Sequence, residues 1–406
     1  MLSAKISFSR SATTFTPFWF YIVLHKFGAG IHYAMIAVLG AQIFPLWAVG
    51  LCVSFASFIE FALDIPAGFV LERYGYLKML RITTLFFCVA GGALLFGLSP
   101  LTYFISLTFG GLGWLFFTPG INAYLLANAP LSIFGRLYGV LRASEGAGIM
   151  LATLCLPLLV RLPVPMLGLV MIYPLLGAIV ALVIGGHYRM PNTLPHTVKA
   201  KRQVREVGMQ KVLGAFRALH PVGTALAIYM TCLSTFFGAI WFVFPILVNA
   251  GTKPTIISTS MSVLEFAMVV AGFTISRLAD SKRKKVIVLV SMLVIMTTGA
   301  LIGFTLHPIL ILLCFIFSFA DELLRTTLWA WLDTKAKAAG REEHGIVSGA
   351  ITFADDLGWM IGPAAAGVLF ATVGAQPTIR IMSVVVVGVG VLTLALLLRR
   401  TVSVTR

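Results

Sequence analysis

The chain has 406 residues, 59% of them hydrophobic and 11% charged, with a mean hydropathy of +0.99 and a formal net charge of +16. Soluble domains are about a quarter charged and less than half apolar, so this composition excludes one and points to an all-α integral membrane protein. Of the 30 Lys and Arg, only Arg161, Lys253 and Arg380 fall in or at the edge of the odd-numbered connections between apolar runs, and only Lys26, Arg142 and Arg325 fall deep within runs. The rest lie at or beside the termini and the even-numbered connections, which by the positive-inside rule predicts a multi-pass plasma-membrane protein with both termini cytoplasmic. The basic excess is thus a topology signal, aided by contact of the loops with anionic head groups of the bilayer, and no nucleic-acid partner is expected.

Twelve apolar runs of near-spanning length follow one another at about 16–39, 46–71, 80–98, 101–128, 138–160, 165–187, 220–250, 256–278, 285–306, 308–334, 345–372 and 379–400. The short alternating strands of a membrane β-barrel are not seen. Cys52, Cys88, Cys155, Cys232 and Cys314 all fall within runs and show no CxxC spacing, so neither a disulfide framework nor a zinc site is indicated. No metal and no cofactor is expected, and the first run is too long for a cleaved signal core.

Taken along the chain, ionisable groups recur inside these runs, where they are expensive and usually face a cavity or one another. Span 1 carries His25, Lys26 and His32; Lys26 has no partner in its own helix and is expected to pair with a carboxylate from another span, Asp321, Glu322, Asp355 or Asp356. His32 can serve simply as a hydrogen-bonding group to a neighbouring helix. Glu60 in span 2 and Glu265 in span 8 suit either gate packing or proton binding. Span 5 carries Arg142 and Glu145, three apart and so on one face; span 10 carries Asp321, Glu322 and Arg325, with Asp321 and Arg325 four apart. Both can be self-neutralising structural pairs. In span 11, "GAITFADDLGWMIGPAAAG" (349–367) holds Asp355 about half-way across, with Asp356 beside it and turned about 100° away. Asp355 is the expected cavity residue and proton carrier.

A polar stretch divides the chain into an N-terminal bundle (1–190), a basic linker (191–219) containing "KAKRQVREVGMQK", and a C-terminal bundle (220–406). Two internal matches support duplication: "EFALDIPAGF" at Glu60 with "EFAMVVAGF" at Glu265, and Gly139, Glu145, Gly148 and Met150 with Gly349, Asp355, Gly358 and Met360 at a constant offset of 210. Both pair span n with span n+6, as a 6+6 repeat requires.

With these features the chain resembles the major facilitator superfamily of secondary transporters over essentially its whole length. "PAGFVLERYGYLK" (66–78) is similar to that family's loop motif G-x-x-x-D-R-x-G-R-K through Gly68, Arg73, Gly75 and Lys78, with Glu72 in the acidic place. The second copy, "GFTISRLADSKRKK" (272–285), keeps Gly272 and Arg277 and offers Asp280 for the charge that Ser276 lacks. The resemblance implies a cytoplasmic gate that latches one conformer, carried by Asp64, Glu72 and Arg73 and more weakly by Arg277 and Asp333; ordinary positive-inside anchoring is the alternative. Gly349, Gly358, Gly362-Pro363 and Gly367 also resemble the glycine-proline motif of drug-proton antiporters, displaced here from span 5 to span 11.

No HExxH, G-x-S-x-G or phosphate-loop motif occurs, so an enzyme and an ATP-driven pump are both disfavoured. The resemblance implies twelve transmembrane helices in two pseudo-symmetric six-helix bundles, working as a monomer by alternating access on a small-molecule substrate. The expected activity is proton-coupled export of an amphipathic or cationic compound. Uptake or exchange of an anionic metabolite through Lys26, Arg142 and the histidines is the second reading, and a transport-inactive sensor or scaffold is a third, from another class.

Overall fold

The computed structural model describes residues 16–128, 134–187, 220–274, 283–338 and 344–404, and at 64–66, 68–69, 72, 126–128, 134–136, 185–187, 220–222, 329–338, 344–352 and 399–404 it describes the backbone alone. Hydrocarbon offers no hydrogen-bond partners, so apolar runs of this length satisfy their backbone internally, as helices. Among the described residues twelve long helices result: α1 (Thr16–Gly40), α2 (Leu46–Tyr74), α3 (Tyr76–Leu94), α4 (Pro100–Asn128), α5 (Phe134–Leu154), α6 (Val164–His187), α7 (His220–Asn249), α8 (Pro254–Thr274), α9 (Lys284–Ile302), α10 (Ile309–Ala338), α11 (His344–Val373) and α12 (Ala375–Val404). A single further turn, Leu156–Leu159, extends the line of α5. The expected linker at 191–219 lies outside the described residues.

Ten of these helices are long and apolar enough to cross a membrane. The two that fall short are α5 and α10, the helices that carry Arg142 and Glu145 and Asp321, Glu322 and Arg325. Their polarity is the mark of helices buried among others. Elsewhere the boundaries follow the apolar runs closely, but α2 continues to Tyr74, past the expected end at 71. Its charged last turn stays helical until Gly75, whose φ of 88° lies in the left-handed region that a glycine enters without strain. The expected loop between α2 and α3 is therefore one residue long.

The packing repeats every six helices. The contacts of α1 with α5 and α6, of α3 with α4 and α6, and of α2 with α4 recur as α7 with α11 and α12, α9 with α10 and α12, and α8 with α10. The two groups of six meet where α2 packs on α11 and where its counterpart α8 packs on α5, with α1 against α7 between them. Glycines permit this closeness: a Cβ on Gly139 or Gly272 would drive into the other's backbone between α5 and α8, and Gly50 and Gly367 stand in the same relation between α2 and α11. At the face that bears the α1–α2 and α7–α8 connections, Ala34–Gly40 and Phe236–Val248 are buried without a break. Protein wraps that end of both helices on every side.

Candidate functional site

The interior charges gather where α1, α5, α7, α10 and α11 approach one another, in two ionic centres. In the first, Glu145 on α5 receives two cations: Lys26 Nζ lies 3.1 Å from its Oε1 and Arg142 Nη1 2.9 Å from its Oε2. The second nitrogen of Arg142, Nη2, reaches across to Glu322 on α10 at 2.7 Å, joining the first six helices to the last six. The Lys26 ammonium also sits over the Trp114 ring at 4.4 Å and the Phe117 ring at 4.7 Å, both on α4. Lys26 and Glu145 are buried, with side-chain exposures of 8% and 4%, while Arg142, at 28%, opens one edge of this centre to water.

The second centre lies within the last six helices. Arg325 Nε donates to Asp321 Oδ1 at 2.9 Å and Oδ2 at 2.8 Å one turn back on α10, and its Nη1 pairs with Asp355 Oδ1 on α11. Ser234 on α7 donates to the same Asp355 oxygen and accepts from Arg325 Nη2 at 3.2 Å. The Asp355 side chain is 27% exposed, far more open than Glu145.

The two intrahelical pairs expected from spacing, Arg142–Glu145 and Asp321–Arg325, are therefore both formed. Each is also the core of a larger network. Lys26 does pair with another span, but with Glu145 and not with Asp321, Glu322, Asp355 or Asp356. The reason is the register between α1 and α5, which packs Gly148 against the Lys26 stem and so sets the ammonium over Glu145. Asp356 is half-buried, and as the next residue of the helix it is set about 100° round from Asp355.

His25 and His32 are structural neighbours rather than members of either network. His25 Nδ1 shares a hydrogen bond with Thr84 Oγ1 at 3.0 Å, and its ring stacks on Phe117 at 4.0 Å. His32 Nε2 is 3.1 Å from the Ser106 carbonyl oxygen, and its ring rests against Gly110. This is the hydrogen-bonding role expected for His32. Among the described residues no group of three His, Cys, Asp or Glu is placed to hold a metal.

Glu265 stands apart. It lies on α8 with its backbone carbonyl against Gly146 of α5, it is only 8% exposed, and its Oε2 has no hydrogen-bond partner. Lys26, Arg142, Glu145 and Glu322 are all within its electrostatic reach, but none bonds to it. A buried carboxyl group with an open oxygen can hold a proton or accept a donor from a ligand.

At the expected gate, Arg73 is exposed at the end of α2 with its guanidinium 5.5 Å from the Tyr74 ring centre, on which Lys78 also rests. Gly75 forms the break just described. Gly68 and the backbones of Asp64 and Glu72 lie in α2 and that of Asp333 in α10, their side chains being outside the described residues, as are Arg277 and Asp280 altogether.

Reasoning from the sequence missed Ser234, Thr84, Trp114 and Phe117. A serine or an aromatic in an apolar run carries no signal of its own. The 6+6 repeat could have found Ser234, because the α1–α5 contact that bears Lys26 implies a residue of α7 facing Asp355.

The comparisons agree with this architecture. No match was found among curated proteins. By fold, the chain is similar to the crystal structure of the human organic anion transporter MFSD10 (TETRAN), with a TM-score of 0.63 and 15% identity over 95% of this chain and 98% of that one. It is similar also to the crystal structure of the nucleoside transporter NupG, with a TM-score of 0.62 and 15% identity over 93% and 97%. At such identities the likeness concerns the fold. A sequence model described as Major Facilitator Superfamily matches residues 6–363. The chain belongs to the major facilitator superfamily, as a membrane transporter of small molecules rather than an enzyme.

Proposed function

We propose that this transporter exports an amphipathic or cationic organic compound in exchange for protons, by alternating access. The observation that carries the reading is the interior charge balance: Glu145, Glu265, Asp321, Glu322 and Asp355 outnumber Lys26, Arg142 and Arg325. An excess of carboxylates inside a membrane is offset by protons or by a cationic ligand, and a site that takes either but not both exchanges one for the other. Two carboxylates can carry the proton. Asp355, the residue expected from its depth, is already bonded to Arg325 and Ser234. Glu265 has an open oxygen, so it is the stronger candidate, with Asp355 as the site that the substrate or the proton reaches from the aqueous side.

In this reading the protein sits in the plasma membrane as a monomer, and the Lys and Arg asymmetry supports an orientation with the even-numbered connections and both termini in the cytoplasm. In that orientation the wrapped ends of α1 and α7 face outward, and the interior is reached from the cytoplasm. The first six helices and the last six move as two bodies about the Arg142–Glu322 bond.

The test is transport in liposomes under an imposed pH gradient, with a fluorescent organic cation as cargo. Glu265→Gln is expected to abolish gradient-driven accumulation, and any cation exchange that remains at equal pH reports carriage without coupling. Full gradient-driven accumulation by Glu265→Gln and by Asp355→Asn alike would sink the coupling reading. A second reading, exchange of an anionic metabolite, is favoured by Arg142, whose side chain is 28% exposed. It requires a thermal shift with organic acids and none with cations.

A further inference from the structure

Two helical turns beyond Lys26 on the same face of α1, about 10 Å away, stands Tyr33. Its ring meets Trp241 of α7 at 5.3 Å, Trp359 of α11 at 5.9 Å and Trp114 of α4 at 6.5 Å between centres. Trp359 stacks in turn on Phe237 at 6.3 Å. The same helices that build the ionic centres therefore build an aromatic level beside them, since Trp241 follows Ser234 by seven residues and Trp359 follows Asp355 by four. These rings are not a lipid-facing belt. They come from four helices, each tryptophan meets Tyr33, and Tyr33 and Trp359 keep part of their surface accessible, which is the space available to a ligand.

Three further observations say what that space suits. Glu60 and Glu265 both lie within electrostatic reach of the Tyr33 hydroxyl. Glu265 Oε2 and Trp114 Nε1 are buried without partners. One ring of this set already holds an ammonium, that of Lys26, which lies over Trp114 and over the neighbouring Phe117. Aromatic faces are negative, and with carboxylates behind them they attract a large, weakly hydrated cation far better than an anion or a compact metal ion.

We propose that Tyr33, Trp114, Trp241 and Trp359 form a cage for an organic cation, a quaternary or ring-bearing ammonium, with Glu265 as its counter-charge. The proposal rests on the transporter reading and narrows its substrate class. Tyr33 and Trp114 come from the first six helices, Trp241 and Trp359 from the last six, so the cage is complete only when the two groups close on each other at this level. Cation binding is thereby tied to the conformational cycle.

The test uses the full chain purified in detergent, with benzyltrimethylammonium as the probe and 3-phenylpropionate, an anion of similar bulk, as its counterpart. Saturable quenching of tryptophan fluorescence and a rise in melting temperature are expected with the cation and not with the anion. Trp359→Leu and Tyr33→Leu are each expected to weaken cation binding about tenfold, and Trp359→Phe, which keeps a ring, about threefold or less. Trp241→Phe, a mild change at a second wall, serves the same purpose if the leucine variants do not fold. Equal binding of the anion, or unchanged cation affinity in both Trp359→Leu and Tyr33→Leu, would overturn the cage. Failure of the pH-gradient experiment with cation binding intact would defeat proton coupling alone, and the two outcomes are thus separable.

Discussion

The two ionic centres occupy equivalent places in the repeat and are finished by different chemistry. The α1–α5 contact carries Lys26 and Glu145; its counterpart, α7–α11, carries Ser234 and Asp355. Over the first, α4 lays the Trp114 and Phe117 rings. Into the second, α10 sends Arg325 with Asp321 attached. Duplication has kept the location of the carboxylate and changed everything around it. In the first the carboxylate is buried, Glu145 being 4% exposed between two cations of which only Arg142, at 28%, reaches water. The second is wet enough, with Asp355 at 27%, to exchange partners during a cycle. One centre is suited to hold the fold and the other to change state.

This contrast predicts unequal costs for removing equivalent carboxylates. Glu145→Leu strands Lys26 and leaves Arg142 with Glu322 alone, and removing one partner of a buried pair costs about 3–5 kcal/mol. Asp355→Asn keeps the Ser234 contact and faces water, so about 1–2 kcal/mol is expected. Thermal unfolding of both variants in one detergent measures the difference. Adding Lys26→Met to Glu145→Leu is expected to recover a large part of the loss, because the stranded ammonium is then gone. Equal melting temperatures for Glu145→Leu and Asp355→Asn would erase the distinction between a closed and an open centre.

The next smaller effect belongs to the Arg142–Glu322 bond, which ties the first six helices to the last six. Arg142→Gln removes the cross-bundle contact to Glu322 but leaves Glu145 with Lys26. Since the Arg142 side chain is 28% exposed, its loss is expected to shift the balance of conformers rather than unfold the protein. A shift of about threefold to tenfold towards the separated state is expected. Distances between spin labels placed on the two groups of six would report it. An unchanged distance distribution would mean that Arg142 serves only the first centre.

Much of this was legible in the sequence, and the limit has a physical form. Spacing within a helix is fixed by the 3.6-residue turn, so the Arg142–Glu145 and Asp321–Arg325 pairs could be read directly. The divergence of Asp355 from Asp356 follows from the same geometry. The long helices and their sixfold order follow from apolar length and from the repeated motifs. Contacts between helices depend on which glycines let which backbones touch. The partners Lys26–Glu145, Arg142–Glu322 and Arg325–Asp355 could not be deduced from hydropathy, and the Lys26 partner was expected elsewhere. The aromatic level was hidden for another reason: Tyr, Trp and Phe are equally at home against lipid. Only the convergence of four helices on Tyr33 separates the two uses.

The smallest predicted effect tests whether the symmetry extends to the seams between the groups of six. Among the described residues each seam carries one hydroxyl contact. Between α2 and α11 the Ala364 backbone N–H donates to Ser54 Oγ at 2.9 Å, and between α5 and α8 Thr153 and Ser262 share a hydrogen bond at 3.0 Å. Ser54→Ala and Ser262→Ala each remove one hydrogen bond, worth about 1 kcal/mol. The consequences should still differ. Ser54→Ala takes the cross-helix acceptor from the Ala364 N–H, whereas Ser262→Ala leaves a Thr153 hydroxyl that still bonds the Met150 carbonyl at 3.0 Å. Ser54→Ala should therefore be the more destabilising by a few tenths of a kcal/mol to about 1 kcal/mol, and paired melting curves in one detergent measure that gap. A larger loss from Ser262→Ala would show that the α5–α8 seam, with Glu265 behind it, carries more of the closure than its counterpart.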